Sequence, residues 1–311
     1  MSDENRMHIL ITGATGFLGA HLSKRLETDG HAPIKLGSRD ADLTQANSLA
    51  PFNDKKVDLI YHLAAWTQAG DFCLHHQGEQ WLINQLINTH VLQWWQAEQP
   101  QAKLIAMGSS CCYPDHLARS EENFLRDTPT ETLLTYGMTK RMLYTGLDAM
   151  RMQYGLRYLL LIPSTLYGPD YHLDGRQMHF IFDLIRKIVD ARYGGPEVVL
   201  WGDGSQTREL IHVGDFVNAM VYLAGRVDNE IVNLGSQENY SIRWYAETIC
   251  DLVGYDPALI QYDTSRYVGT KDKFLVLDKL KTLMPEFKVT NVRNGLEEVI
   301  VWYKEARGYA D

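Results

Sequence analysis

Tyr136 and Lys140 stand four residues apart in a segment read as a helix beginning near Thr132, which puts a phenol and an ammonium on one face, one turn apart. A phenol carries protons only if its phenolate is accessible. Bringing its pKa from about 10 toward neutrality requires roughly 4 kcal/mol of preferential stabilisation, part of which a neighbouring cation supplies. A third group lies upstream. Ser109, in Gly108-Ser109-Ser110-Cys111-Cys112-Tyr113-Pro114, follows the apolar run Lys103–Met107 and can hydrogen-bond a substrate oxygen while the tyrosine moves its proton. The competing reading is an amphipathic helix with a surface Tyr and Lys. Together the three groups point to acid–base chemistry at an oxygen-bearing carbon.

The elements that would position them begin at His8–Gly19. A short apolar run fitting a buried parallel strand ends in Gly13, Gly16 and Gly19, spaced G-x-x-G-x-x-G, and Leu18, Leu22 and Leu26 then recur at helical spacing. In such a strand–turn–helix, Gly13 and Gly16 let the backbone approach a pyrophosphate. Gly19 lets helix and strand pack closely, and the helix N-terminus offers free N–H groups to phosphate. Thr15, Phe17 and Leu18 lie in the same turn and are expected to contact the same dinucleotide. Further parallel strands are read at Ala32–Leu36, Val57–Ala65, Lys103–Gly108 and Tyr158–Pro163, with Ile231–Gly235 returning. Leu63, Ala64 and Ala65 are small or apolar enough for a cofactor to lie across that strand end, and Pro163 closes the later strand on the same edge. Glu79–Gln99 reads as a long helix, and its Asn84 is either a buried polar anchor near the cofactor or an exposed amide.

Cofactor choice rests on the end of the second strand, Gly37-Ser38-Arg39-Asp40. An acidic residue there binds a ribose 2′-hydroxyl, whereas a basic one accommodates a 2′-phosphate. Arg39 favours NADP(H), and Asp40 beside it keeps NAD(H) open. Asp42-Leu43 follows, with Asp42 able to accept from an adenine amino group or to cap the next turn. Beyond Pro163 the pattern changes. A helix is read at Gln177–Ala191, a Gly-Asp-Gly turn at 202–204, and Asp215 as the cap of a helix running to Leu223. The expected fold is α/β: a doubly wound parallel sheet with a smaller C-terminal substrate-binding α/β domain. The two are interleaved as residues 1–164 with 209–235, and 165–208 with 236–311.

The 311 residues carry a net charge of −9, which leaves no basic footprint for a nucleic-acid backbone, so nucleic acid is not expected as a partner. No apolar run reaches bilayer-spanning length, and Met1–Arg6 is acidic and polar where a secretory signal is basic and then apolar, so a cytoplasmic protein is expected. Cys73, Cys111, Cys112 and Cys250 lack the C-x-x-C pairs of a zinc site and are too few for a disulfide framework. Reduced thiols and no metal are expected.

Thr12–Gly19 as T-G-x-x-G-x-x-G, Tyr136-Gly137-Met138-Thr139-Lys140 as Y-x-x-x-K, and Ser109 four residues before Tyr113 resemble the extended short-chain dehydrogenase/reductases, the NAD-dependent epimerase/dehydratase family, over nearly the whole chain. Gly108–Pro114, Leu166-Tyr167-Gly168-Pro169, His179, and Trp201-Gly202-Asp203-Gly204 leading to Arg208-Glu209 are similar to the nucleotide-sugar epimerase/reductases of the GDP-L-fucose synthase type. That resemblance implies catalysis by Ser109, Tyr136 and Lys140. It further implies proton exchange beside a 4-keto group by Cys111 and His179, with Tyr136, Lys140 and His179 also against the cofactor. Trp66, Thr67, Gln68, Ser110, Cys111, Thr165, Trp201, Arg208 and Lys271 are implied on the side of a nucleotide sugar, a GDP-sugar favoured, in a homodimer. Arg208 is expected to grip the diphosphate, the alternative being an ion pair with Glu209 or Asp203. Two stretches depart from the pattern: Trp66–Asp71 replaces a Gly-Gly loop, and Thr165 replaces an Asn. They leave open a different sugar, or a C4 epimerase or 4-dehydrogenase with retained NAD and no Cys/His epimerisation. A dinucleotide-binding scaffold without catalysis is the rival of another class.

Overall fold

The computed structural model describes residues 7–69, 71–266, 268 and 270–310; Met1–Arg6 and Gly70 of the Trp66–Asp71 loop lie outside them. The first part of the chain alternates β1 (Ile9–Thr12), α1 (Phe17–Thr28), β2 (Ile34–Leu36), β3 (Leu59–His62), α2 (Phe72–His75), α3 (Gln77–Glu98), β4 (Lys103–Met107), α4 (Leu134–Tyr154) and β5 (Arg157–Pro163). It continues with β6 (Thr165–Tyr167), α5 (Phe180–Arg192), β7 (Val199–Trp201), β8 (Thr207–His212), α6 (Val213–Ala224) and β9 (Glu230–Leu234). The last part holds β10 (Asn239–Ser241), α7 (Ile242–Val253), β11 (Gln261–Asp263), β12 (Asp272–Lys273), α8 (Asp278–Leu283) and α9 (Val292–Arg307).

Six strands form one sheet in the order β2-β1-β3-β4-β5-β9, every pair parallel. Helices cover both faces, so the strands are apolar throughout: Leu10, Ile11, Ile60, Leu104, Ile105 and Leu159–Ile162 are fully buried. From β1 the chain moves to β2 on one side and to β3 on the other. The strand order therefore reverses at the carboxyl end of β1, where ligands of open α/β sheets bind and where the glycine turn opens.

A second apolar core lies under α5, α7 and α9, built on Ile181, Ile185, Ile188, Tyr245, Ile249, Leu296 and Ile300. Its small sheet places β8 between antiparallel β10 and the two-residue parallel strand β12, with β6 also on β8 and a separate β11–β7 pair. Two helix starts differ from the sequence reading. α5 begins at Phe180, because the Gln177 side chain is held outside it, accepting from Phe72 N at 3.1 Å and donating to Asp71 Oδ1 at 2.7 Å. α6 is capped by His212, whose Nδ1 accepts from Gly214 N at 3.3 Å; Asp215 sits in the first turn and accepts from Thr290 N at 2.6 Å. No helix among the described residues is long and apolar enough to cross a membrane.

Candidate active site

The glycine turn uses its three glycines differently. Gly13 has φ +71°, and a β-carbon there would stand 2.7 Å from Ala64 N; at Gly19 it would overlap the Gly13 carbonyl. These two glycines are required by the packing of the turn on β3 and α1. At Gly16 a β-carbon would meet only the Gly13 carbonyl, at 3.3 Å, so the exposed side of this residue is open for a ligand. α1 starts at Gly16 with no side-chain cap and no acidic residue in its first turn. A bare, uncharged helix N-terminus above an exposed glycine fits a pyrophosphate.

Thr15 is exposed beside Gly37, Phe17 and Leu18 are half-buried, and Leu63, Ala64 and Ala65 line the turn from the end of β3. Ala64 N donates to Thr12 Oγ1 at 3.3 Å. Pro163 ends β5 in register with Leu234. At the end of β2, the Asp40 carboxylate folds back to accept from Gly37 N at 2.8 Å, while Arg39 is exposed and has no hydrogen bond or ion pair among the described residues. Asp42 accepts from Thr44 N at 3.0 Å and Thr44 Oγ1 at 2.6 Å, which lowers its pKa and makes it a turn cap; Leu43 is buried and its carbonyl accepts from His90. Asn84 is buried and fully engaged. Its Oδ1 accepts from Trp66 N at 2.9 Å and its Nδ2 donates to Trp66 O and Gln80 O at 2.8 Å. The amide thus anchors the Trp66 backbone.

Ser109 leaves β4 as the N-cap of a single 3-10 turn, Ser110–Cys112, its Oγ accepting from Cys111 N at 3.2 Å. Gly137 on α4 has no room for a side chain: a β-carbon would lie 2.8 Å from Pro129 Cβ and 2.9 Å from the Cys111 carbonyl. That close approach brings Tyr136 near Ser109, whose hydroxyl favours the ionised phenol. One turn further on, Lys140 Nζ stands 5.9 Å from the Tyr136 ring centroid; the residue is buried, and no hydrogen bond among the described residues takes up its ammonium. A buried ammonium without an acceptor suits the ribose hydroxyls of a dinucleotide. Burial pushes Lys140 down to about 8 and, with the nearby thiols of Cys111, Cys112 and Cys73, pushes the Tyr136 phenol up. The sequence reading expected Lys140 together with a positive nicotinamide ring to lower the phenol pKa; in the protein alone desolvation sets the direction.

Cys111 and Cys112 are adjacent, buried and opposite in character. Burial drives Cys112 up to about 12. Burial also raises Cys111, but the Lys273 ammonium, donating to its Sγ at 3.1 Å, and the Ser109 hydroxyl outweigh it and leave the thiol below its usual value. His179, at the N-cap of α5, is exposed as a residue, while crowding around its ring, with Lys273 and His172 adding to the effect, lowers the imidazole to about 4. Lys273 therefore contacts Cys111 and acts electrostatically on His179, the two proton carriers suggested by the sequence. It is a residue that reading missed, because only the folding of β12 onto β8 brings it there.

On the substrate side, Trp66 packs its ring against Phe72, 4.9 Å between centroids, and His76, 6.0 Å; Thr67 is exposed, and the Gln68 carbonyl faces Cys73 Sγ at 3.9 Å. Ser110 is buried, Thr165 opens β6, and Trp201 is half-exposed at the end of β7 with the Arg266 guanidinium 5.6 Å from its ring. Arg208 donates to Thr207 O at 2.7 Å, and to Lys271 O and Val268 O at 3.5 Å; Lys271 is itself exposed. Glu209 is turned away, its buried carboxylate accepting from Ser236 N, Gln237 N and Leu275 N, each at 2.8 Å. It serves as a joint between segments.

A parallel sheet with a bare helix N-terminus at its switch point, and a Tyr–Lys helix beside the next strand end, defines an α/β protein of the dinucleotide-binding class. The family described as the NAD dependent epimerase/dehydratase family matches residues 9–235, and the chain belongs to it. It is 30% identical to GDP-L-fucose synthase 1 of Arabidopsis thaliana over 309 residues, 97% of this chain and 94% of that one. It is 28% identical to dTDP-4-dehydro-6-deoxy-D-allose reductase of Streptomyces bikiniensis, covering 95% of this chain and 96% of that one. A GDP-L-fucose synthetase from Naegleria fowleri bound to NADP superposes with a TM-score of 0.85 at 25% identity, over 98% of this chain and 96% of the other.

Proposed function

We propose that this protein reduces C4 of a nucleotide-activated 4-keto sugar, a GDP-hexose or heptose favoured, using NADP(H) in preference to NAD(H), and that Cys111 and His179 exchange protons at the carbons flanking the ketone. The observation carrying the reading is the convergence of Ser109, Tyr136, Lys140 and Cys111 at the carboxyl end of β4, with the Lys273 ammonium on the Cys111 sulfur. Bound nicotinamide supplies the hydride. Ser109 and Tyr136 hydrogen-bond the ketone oxygen, and Tyr136 gives it a proton as C4 is reduced. Lys140 holds the ribose and limits the cost of phenolate. Arg208, and the backbone that holds it at 268 and 271, take the diphosphate, for which a planar guanidinium is suited. Arg39 takes the 2′-phosphate, since Asp40 is occupied by its own turn. Leu82 and Leu86 on α3 and Met142 on α4 are exposed apolar residues on helices that pack together, which supports a homodimer through that face. Sedimentation as a monomer at micromolar concentration would remove that part.

A second reading, C4 reduction alone, is favoured by His179, whose imidazole pKa is lowered by desolvation and by the Lys273 and His172 charges, which makes the imidazolium needed as a proton donor scarcer. One experiment separates the two. Incubated in deuterated water with a 4-keto nucleotide sugar and no reduced cofactor, the wild type should wash deuterium into the carbons beside the ketone. Cys111→Ser should abolish the exchange while still reducing an already epimerised ketosugar. Turnover without deuterium at those carbons leaves the reductase reading standing in its place.

A further inference from the structure

Lys273 has no assigned part in this chemistry, yet it is the most firmly anchored cation near the reacting groups. β12 is two residues long and is tied down on every side. Thr207 N donates to Lys271 O at 2.9 Å, Arg119 Nη1 donates to Asp272 O at 3.1 Å, and Leu275 N donates to Glu209 Oε2 at 2.8 Å. Lys273 pairs with Arg208 across parallel strands, so the two side chains leave the small sheet on the same face. The Lys273 ammonium then reaches back across 162 residues of chain to donate to Cys111 Sγ at 3.1 Å. The other groups facing that sulfur are Ser109, Arg119, Tyr136, Cys73 and Cys112, with His179 beyond Lys273. Arg119 turns its Nη1 and Nη2 to the Asp272 carbonyl and Asp115 and acts on Cys111 more weakly, so that among the described residues Lys273 is the cation in hydrogen-bond contact with the sulfur.

We propose that Lys273 is the positioning residue that keeps Cys111 ionised, so that the sulfur meets the substrate as a base. The inference rests on the reading that Cys111 exchanges protons beside the ketone. In that step the C–H bond breaks, an S–H bond forms, and the electron pair moves onto the ketone oxygen, where Ser109 and Tyr136 hydrogen-bond the enolate. The negative enolate favours imidazolium, so His179 takes a proton from water and returns it to the carbon from the opposite face, while Cys111 gives its own proton to solvent.

The test reads the thiol directly, by the pH dependence of iodoacetamide alkylation at Cys111 followed by peptide mass spectrometry, with Cys111→Ala as background. The wild-type midpoint is expected below the ordinary thiol value of about 8.5. In Lys273→Met it should rise by about one pH unit or more, with alkylation at pH 7 slowed roughly tenfold, and in Lys273→Arg it should stay near wild type. A wild-type midpoint at or above about 8.5 overturns the proposal whatever the variants do. So does Lys273→Met with an unchanged midpoint and a raised KM, which would make the lysine a substrate contact only. A low midpoint without deuterium wash-in overturns epimerisation and leaves ionisation by Lys273 standing.

Discussion

The carboxylate of Glu209 accepts the backbone N–H of Leu275 at 2.8 Å, two residues beyond Lys273, while its other oxygen accepts from Ser236 N and Gln237 N. One buried acid thus joins the end of β9 to the segment that carries the candidate substrate-side cation. Burial raises its pKa, against the three N–H groups that favour the charge. Glu209→Gln replaces one accepting oxygen by an amide that faces backbone N–H groups. We expect a loss of about 1–3 kcal/mol in urea unfolding. An unchanged midpoint would show that the joint does not need the charge.

Tyr136→Phe removes the candidate proton carrier beside Ser109 while keeping the ring that packs there. Turnover is expected to fall on the order of 100-fold or more, with the fold and dinucleotide affinity retained. Ordinary turnover in this variant would move the acid–base role elsewhere.

Arg39 is exposed at the end of β2 with no ion pair among the described residues, and Asp40 is committed to Gly37 N. Arg39→Ala should weaken NADPH binding about tenfold or more, the worth of a charge-assisted contact to phosphate, and leave NADH binding nearly unchanged. Equal losses for the two, measured by titration calorimetry, would return Arg39 to the surface.

His62 is buried between Thr12 Oγ1 at 2.8 Å and Asn88 Oδ1 at 3.1 Å, and burial holds it at about 4. An unfolded imidazole takes up a proton near 6.5 and His62 does so only near 4, so its contribution is present at neutral pH and is lost as pH falls through that window. It should remove about 2 kcal/mol of stability between pH 7 and pH 5. His62→Gln should flatten the fall in urea midpoint over that range, and a dependence as steep as wild type would contradict the assignment.

The legible parts of the chain were local in sequence. The glycine spacing, the apolar runs of β1, β3, β4 and β5, and the i,i+4 pair Tyr136–Lys140 are patterns within a few residues, and each appears in the structure where its spacing placed it. Ser109 was found because a strand end delivers it. What the sequence could not supply was contact between distant segments. Lys273 meets Cys111 through a two-residue strand too short for any periodicity, and Glu209 reads as an ordinary charge beside Arg208 until three N–H groups from other loops close on it. Asn84 was recognised as polar on an apolar helix, but its partner, the Trp66 backbone, depends on tertiary packing. The upward push on the Tyr136 phenol in the protein alone was not legible, because burial is a property of the fold.

Phe17 belongs to the glycine turn, yet its ring sits 5.2 Å from Tyr171 and 5.8 Å from Phe182, in the apolar core of the other half, where Tyr171 stacks on Phe182 at 3.7 Å. A residue of the glycine turn is thus by its side chain a wedge in the core under α5, the helix that His179 caps. We expect occupancy of the proposed dinucleotide and sugar-nucleotide sites to be linked through it, and linkage is reciprocal: whatever affinity a bound dinucleotide lends to a sugar nucleotide, the sugar nucleotide returns in equal measure. The ratio of dinucleotide dissociation constants with and without saturating nucleoside diphosphate measures that exchange. Phe17→Ala should bring the ratio toward one while the separate affinities survive, and a ratio unchanged by the substitution would place the coupling in other contacts.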